Sequence, residues 1–300
     1  MNTRKIAAVL SAALLAALAF SACPSPDDGT PPIANPSFIE MVQIPGGTFQ
    51  MGSPTTEPNR WDDETQHTVT VTSFWMGKYE VTQGQYQTVI GSLPSDLPSD
   101  SYFGVGNNYP VYCVSWYDAI VFCNRLSMRE GLSPAYRIDG STNPTEWGSV
   151  PTSSNVTWNA VEIVAGSNGY RLPTEAQWEY ACRAGSTAPW HTASRTDRDL
   201  GNYAWYDSNS NSRTHEVGRK FPNEWGLYDM HGNVYEWCWD WYGAYTSAGQ
   251  TDPTGAASGT NRVERGGSWL NDGRLARSAS RDNSNPFSGV INLGFRLVRP

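Results

Sequence analysis

The side chains best suited to covalent or metal chemistry are five cysteines and four histidines. Cys23, Cys113, Cys123, Cys182 and Cys238 are spread along the chain, and His67, His191, His215 and His231 are scattered between them. No CxxC occurs, and no Cys/His set has the sequence spacing of a zinc site. A G-x-S-x-G elbow and a phosphate-binding Gly-rich loop are also missing. The linear pattern therefore supplies no activated nucleophile and no phosphate cradle.

Cys23 has its own reading. "MNTRKIAAVLSAALLAALAFSAC" starts with Arg4 and Lys5, stays apolar from Ile6 to Phe20, and reaches small residues before Cys23. Residues 1–22 are thus expected to be a signal peptide, with an apolar run too short to span a bilayer permanently. "FSAC" resembles a bacterial lipobox, which implies cleavage before Cys23 and a lipid on its thiol. A membrane partner through that anchor follows, with the protein on the bacterial outer membrane and exposed at the cell surface. Ordinary secretion with cleavage after an Ala is the alternative. Residues 23–37, "CPSPDDGTPPIANPS", hold five Pro and no apolar period, so they should form an extended tether. Residues 38–300 then form one large globular unit, expected to be monomeric.

Without Arg4 and Lys5 the chain keeps 19 basic against 29 acidic residues, a net charge near −10. That balance argues against a nucleic-acid partner. The last 39 residues differ, with seven Arg against Glu264, Asp272 and Asp282. Four cysteines besides Cys23, in an exported chain, allow three full disulfide pairings that spacing cannot separate.

The elements that must position these residues are short. Thirteen Trp, fifteen Tyr and 28 Gly predict a loop-rich fold pinned by aromatic cores. Ser115–Asp118 and Thr174–Gln177 are capping boxes opening helices that end near Gly131 and Gly185, and a third helix should start after Thr82. Strand-like runs are "HTVTVTSFWMGKYEV", "GNVYEWCWDWY", "RVERGGSW" and "LGFRLV". Between the last two, Leu270–Asn292 show neither period.

"IPGGTFQMGS", "PVYCVSWYDAIVFCNRLS", "GYRLPTEAQWEYACRAG", "NEWGLYDMHGNVYEWCWDW", "RGGSW" and "NLGFRLV" resemble, in order from Met41 to Val298, the sulfatase-modifying-factor family of the formylglycine-generating enzyme. The resemblance implies an α+β, C-type-lectin-like fold. In the enzymes of the family, copper is held by two C-terminal cysteine thiolates. The matching positions here are Asn271 and the run Asp272–Ala276, and no cysteine occurs from Trp239 to Pro300. Soft thiolates select Cu(I), and these residues do not replace them. Formylglycine-generating or related oxidoreductase activity therefore stands only as the alternative function, and the chain is expected not to be an enzyme. The family's iron-dependent branch uses a His cluster in an added helical domain that this chain lacks.

The same scaffold is used by variable proteins diversified by a diversity-generating retroelement, and the chain resembles the Treponema variable proteins. There, template adenines are randomised, so an AAC codon yields Asn, Asp, Ser, Gly, Arg, Leu, Val, Ile or Phe but never Lys, Glu, Gln, Met or Trp. Leu270–Asn292 contain none of those five, which make up 43 of the other 277 residues. Chance would produce such a gap roughly one time in fifty. The resemblance implies framework at Arg277, Ser278, Ala279, Arg281, Pro286 and a Leu293–Val298 strand. The ligand-binding residues would be Leu270, Asn271, Asp272, Gly273, Arg274, Leu275, Ser280, Asp282, Asn283, Ser284, Asn285, Phe287, Ser288, Gly289, Val290, Ile291 and Asn292. Their partner would be a protein or glycan receptor; a non-catalytic family member of fixed specificity is the other reading.

No cofactor is expected beyond a calcium ion. Asn233 and Glu236 match a family region that includes a structural calcium site; otherwise Asn233 caps a turn and Glu236 pairs with a buried Arg. Glu179 and Asp240 are expected partners for Arg277, Arg281 or Arg296. Cys123 and Cys182 match cysteines that in the vertebrate enzymes bridge to positions equivalent to Ser278 and Leu297. They should therefore be free and packed as small hydrophobes. A Cys113–Cys238 bond stays open.

Overall fold

Three reciprocal caps start the long helices. The computed structural model describes residues 38–98, 101–192 and 197–300; the signal peptide, Cys23 and the tether lie outside them. The first strands are β1 (Met41–Ile44), β2 (Gly47–Met51), β3 (His67–Val71) and β4 (Phe74–Gly77), followed by α1 (Gln83–Ile90) and α2 (Trp116–Arg129). Next come β5 (Tyr136–Arg137), α3 (Val156–Asn159), β6 (Glu162–Ile163), α4 (Glu175–Arg183) and β7 (Tyr235–Trp241). The C-terminal part holds β8 (Gln250–Thr251), β9 (Arg262–Arg265), β10 (Arg281–Ser284), β11 (Leu293–Gly294) and β12 (Val298–Arg299).

Thr82, Ser115 and Thr174 each accept the amide three residues on, while Gln85, Asp118 and Gln177 reach back to the cap amide. Gly91, at φ 100°, closes α1 with a left-handed turn that a side chain would resist. One face of α2 buries Trp116, Ile120, Phe122 and Leu126 against Phe295 and Leu297 in the main core. The indoles inside it are satisfied: Trp116 donates to the Cys238 carbonyl at 2.8 Å and Trp237 to that of Val114 at 3.0 Å.

Four small sheets frame this core, in the orders β1-β4-β12, β10-β9-β7-β11, β2-β3-β8 and β5-β6. Three sequence expectations change. The run His67–Val81 is two strands, because Thr72 turns the chain with its amide on Asp252 at 2.8 Å. Leu293–Val298 is also two strands: β11 runs parallel to β7, and β12 antiparallel to β4. Between them Arg296 turns inward, donating to Glu236 at 2.7 Å and to the Gly77 carbonyl at 3.0 Å.

The third change falls in the unpatterned segment. Arg281–Ser284 pair antiparallel with Arg262–Arg265, and Gly273–Ala276 make a short 3-10 turn. The sequence carries no strand signal there because the inward residue, Arg281, is charged rather than apolar.

Trp269 and Phe295 are buried at the two ends of that segment. Trp269→Ala or Phe295→Ala should each lower unfolding free energy by about 3–5 kcal/mol. Leu270→Ala, at a side chain 53 % exposed, should change it by less than about 0.5 kcal/mol. Urea titration compares them, and equal losses would contradict the assignment.

Candidate functional site

Four buried arginines anchor the C-terminal chain. Arg277 donates to Glu57 at 2.6 Å, to both Glu64 oxygens at 2.6 and 2.8 Å, and to the Asn59 carbonyl at 2.8 Å. Arg281 makes a bidentate pair with Glu175 at 2.6 and 2.8 Å and lies over the Tyr245 ring. Arg265 pairs with Glu179 and donates to the Ser280 carbonyl, while Arg296 takes Glu236. The expected carboxylates were partly wrong. Glu179 serves Arg265 and Arg183, and Asp240 accepts the Glu175 amide at 2.8 Å instead of pairing with an arginine.

Burial alone would raise the Glu64 carboxyl, but the hydrogen bonds and charge of Arg277 outweigh it and hold the group below its ordinary range. Glu175 behaves likewise under Arg281 and Arg265. Both act as fixed anions.

On this frame the segment exposes only part of itself. Leu270, Asp272, Arg274, Asn285 and Val290 face solvent. Asn271, Gly273, Leu275, Asp282, Asn283, Ser284, Phe287, Ser288, Gly289, Ile291 and Asn292 are half-buried. Ser280, expected on the face, is 3 % exposed, because its carbonyl serves Arg265. Gly289 also belongs to the frame: a Cβ there would sit 2.7 Å from the Cys113 carbonyl oxygen. Phe287 packs partly on the main core and Ile291 on the cluster around Trp269, so both carry structural as well as surface roles.

The exposed part centres on Asp272 and Arg274. Asp272 accepts the Arg274 amide at 2.9 Å and its Nε at 3.0 Å, two bonds that lower its pKa. A cavity of about 260 Å³ lies on one side, lined by Asn59, Arg60, Trp61, Asp272, Arg274 and Leu275. Another of about 230 Å³ involves Trp190, Leu200, Tyr206 and Ser208 with the same turn. Trp61, 56 % exposed, was missed in the sequence. Its signal was an aromatic with Arg60 before it and Asp62 and Asp63 after it, in a stretch without apolar period. Arg277 brings it here by binding Glu57, Asn59 and Glu64 around it. A larger groove, about 680 Å³, runs along Phe38–Glu40 and α1 and includes none of the segment.

Cys113, Cys123, Cys182 and Cys238 are all free and buried. Cys113 and Cys238 sit in different core clusters, so the bond left open between them does not form. Cys182 Sγ lies 3.6 Å from Ser278 Oγ, and Cys123 shares the main core with Leu297, where a thiol partner would have to stand. Both Glu236 oxygens are taken by Arg296, and Oε2 also by the Trp178 indole. Asn233 Oδ1 accepts the His215 amide at 2.9 Å, and its Nδ2 donates to Glu80 at 2.7 Å. These two residues do not fit a calcium ion. Asn233 at φ 60° holds a left-handed turn, and Glu236 neutralises a buried arginine.

Short elements, aromatic cores and a loop-borne surface define a mixed α+β, C-type-lectin-like domain of the formylglycine-generating type. The chain belongs to the sulfatase-modifying factor enzyme 1-like domain family, whose model matches residues 30–300. It is similar to Treponema denticola variable protein 1, with 39% identity and a TM-score of 0.78 over 87% of this chain and 95% of that one. It is also similar to chaperone protein LppX of Paenibacillus barcinonensis, 36% identical over 276 residues, covering 87% of this chain and 89% of the relative. The formylglycine-generating enzyme of Mus musculus is 29% identical over 304 residues, 92% of this chain and 78% of the enzyme. Among the described residues no helix is long and apolar enough to cross a membrane.

Glu264 on β9 stands opposite Asp282 on β10. Burial first, then the Asp282 charge, pushes its carboxyl up to about 8, and burial raises Asp240 to about 7. These groups keep protons in the fold that the unfolded chain releases near pH 4 to 5, so their stabilisation is complete below that range and is lost toward pH 8. The lowered Glu64 and Glu175 act oppositely and lose stabilisation only in more acid solution. His191, His215 and His231, held neutral in the fold by burial, add stability as the pH rises to about 6.5 and oppose this trend there. The melting temperature should therefore fall from pH 7 to pH 8, and Glu264→Gln should flatten the fall. Calorimetry at steps of pH checks this; a flat wild-type profile would refute the protonated Glu264.

Proposed function

We propose that the protein is a non-catalytic binding protein, carried on the outer membrane by a lipid on Cys23, that recognises a protein or glycan receptor through Leu270–Asn292. One observation carries the reading. Side chains able to make contacts are exposed on a backbone whose position depends on buried arginines rather than on those side chains. Leu270, Asp272, Arg274 and Val290 can change without removing a buried ion pair, and Trp61 adds a fixed aromatic beside them. A rigid frame carrying changeable loop residues is the usual design of recognition surfaces. The similarity to a variable protein supports a segment that differs between siblings.

Formylglycine chemistry does not suit the same turn. Asn271 and Asp272–Ala276 offer no thiol to copper. The Paenibacillus relative's name, a chaperone protein, likewise fits binding rather than oxidation.

Trp61→Ala and Arg274→Ala should leave the melting temperature nearly unchanged and weaken receptor binding about 30-fold, as loss of a central aromatic or Arg contact does. Surface plasmon resonance against the receptor recovered from a glycan or surface-protein array measures this. Unaltered affinity in both variants would remove the segment's turn from the binding face. Cells expressing the protein should incorporate labelled palmitate, and Cys23→Ala should abolish the label; a mutant that still labels would disprove the anchor.

A further inference from the structure

The residues with metal-binding chemistry, separate in sequence, meet in the fold. Cys182 from the end of α4, His191 from the loop after it, and His231 from the turn before β7 are all buried, and one ligand atom of each lies within 4.8 Å of the others. Donors around one ion, at ~2.3 Å for sulfur and ~2.0 Å for nitrogen, stand roughly 3.5–3.8 Å apart. The nearest ligand atoms of the set stand about an ångström too far apart for one ion, so the side chains must close in on it.

Each donor is prepared differently. His231 Nδ1 lies 3.8 Å from Cys182 Sγ, so the ring must adjust to bring Nε2 to an ion on the sulfur. Nδ1 also lies 2.7 Å from the Ala276 carbonyl, an acceptor only, so it carries the proton and leaves Nε2 with the lone pair. That is the second-shell arrangement typical of a metal-bound imidazole. At present Nε2 accepts only the His191 amide at 3.2 Å. His191 stacks on His231 with ring centroids 4.2 Å apart, and neither of its ring nitrogens has a hydrogen-bond partner although the residue is only 8 % exposed. An orphaned buried N–H or lone pair costs about 1–3 kcal/mol, and an ion would relieve it.

Burial lowers His191 to about 4 and takes His231 well below its usual range, while it pushes the Cys182 thiol up to about 12. Arg183 and Arg265 share Glu179, which leaves one positive charge over in this group beside the Cys182 sulfur.

We propose that Cys182, His191 and His231 bind one thiophilic ion of the Zn(II) or Cu(I) class. Thiolate plus two imidazoles is a donor set for such ions and not for calcium or magnesium. Binding forms one metal–sulfur and two metal–nitrogen bonds, and the Cys182 thiol gives up its proton to solvent; nothing is oxidised. Three donors complete a trigonal Cu(I) site, whereas Zn(II) needs a fourth, for which Ser278 Oγ, 3.6 Å from the sulfur, is placed. The ion would tie α4 and the His231 turn together beneath Ala276 and Ser278.

The test uses the full chain, stripped with chelator and titrated with Zn(II), with Co(II) as its spectroscopic stand-in, and separately with Cu(I) under reductant. Expected are one ion per chain, release of one proton, and with Co(II) a thiolate charge-transfer band. Competition between Zn(II) and Cu(I) then identifies the preferred ion. His191→Gln should weaken binding roughly ten-fold or more, and Cys182→Ser should abolish the band. Absence of stoichiometric binding by the wild type would overturn the site. So would an unchanged Co(II) band in Cys182→Ser. Should Cys182→Ser fail to fold, the wild-type proton count and charge-transfer band decide, because both require a cysteine thiolate.

Discussion

A guanidinium taken out of water needs partners, and that constraint organises the molecule. Arg262 finds them in the Trp116 and Trp241 rings and the Trp239 carbonyl, and four others find them in carboxylates. Arg265, Arg277, Arg281 and Arg296 lie within the last 36 residues, and all are buried. Each demands a carboxylate, and the carboxylates come from distant places: Glu57 and Glu64 before β3, Glu175 and Glu179 on α4, Glu236 on β7. Removing one partner from such a pair leaves an uncompensated charge and costs roughly 3–5 kcal/mol. The N-terminal loop, the last long helix and the central strand are thus held to the C-terminal chain by geometry that admits little slack. Bidentate pairs such as Arg281–Glu175 fix orientation as well as distance.

Local signals were legible and long-range ones were not. The capping boxes at Thr82, Ser115 and Thr174 gave the helix starts because a cap is decided within four residues. The partners of Arg277 could not be read, since Glu57 and Glu64 are more than 200 positions away and no periodicity links them. Strand β10 was hidden because burial of Arg281 looks like polarity in a sequence. "LGFRLV" looked like one strand because its hydrophobes alternate, yet the inward turn of Arg296 divides it between two sheets. Cys182, His191 and His231 likewise carry no ligand spacing in the sequence, because only tertiary packing assembles them.

Frame and face also interpenetrate. Ser280 and Gly289 fall inside the segment but serve the scaffold, one through its carbonyl and the other through its lack of a side chain. Asp282 is only half-buried, yet its charge reaches Glu264 across the strand pair. A change at Asp282 therefore alters the proton affinity of a buried scaffold group. Surface variation at this position is not electrostatically silent.

The buried run from Ala276 to Arg281 interrupts the segment. Before it, Leu270–Leu275 lean on Trp61 and Tyr206; after it, β10 and the stretch to Asn292 lean on β9 and the Trp269 cluster. Substitutions that share no partners combine additively. Among the described residues the two sides meet where Asn271 and Asn292 both bond the Ser268 hydroxyl, so changes at those two positions couple, while changes farther along each side act separately. The arginine-bearing stretch in the middle thus divides the segment into two exposed patches with largely separate supports.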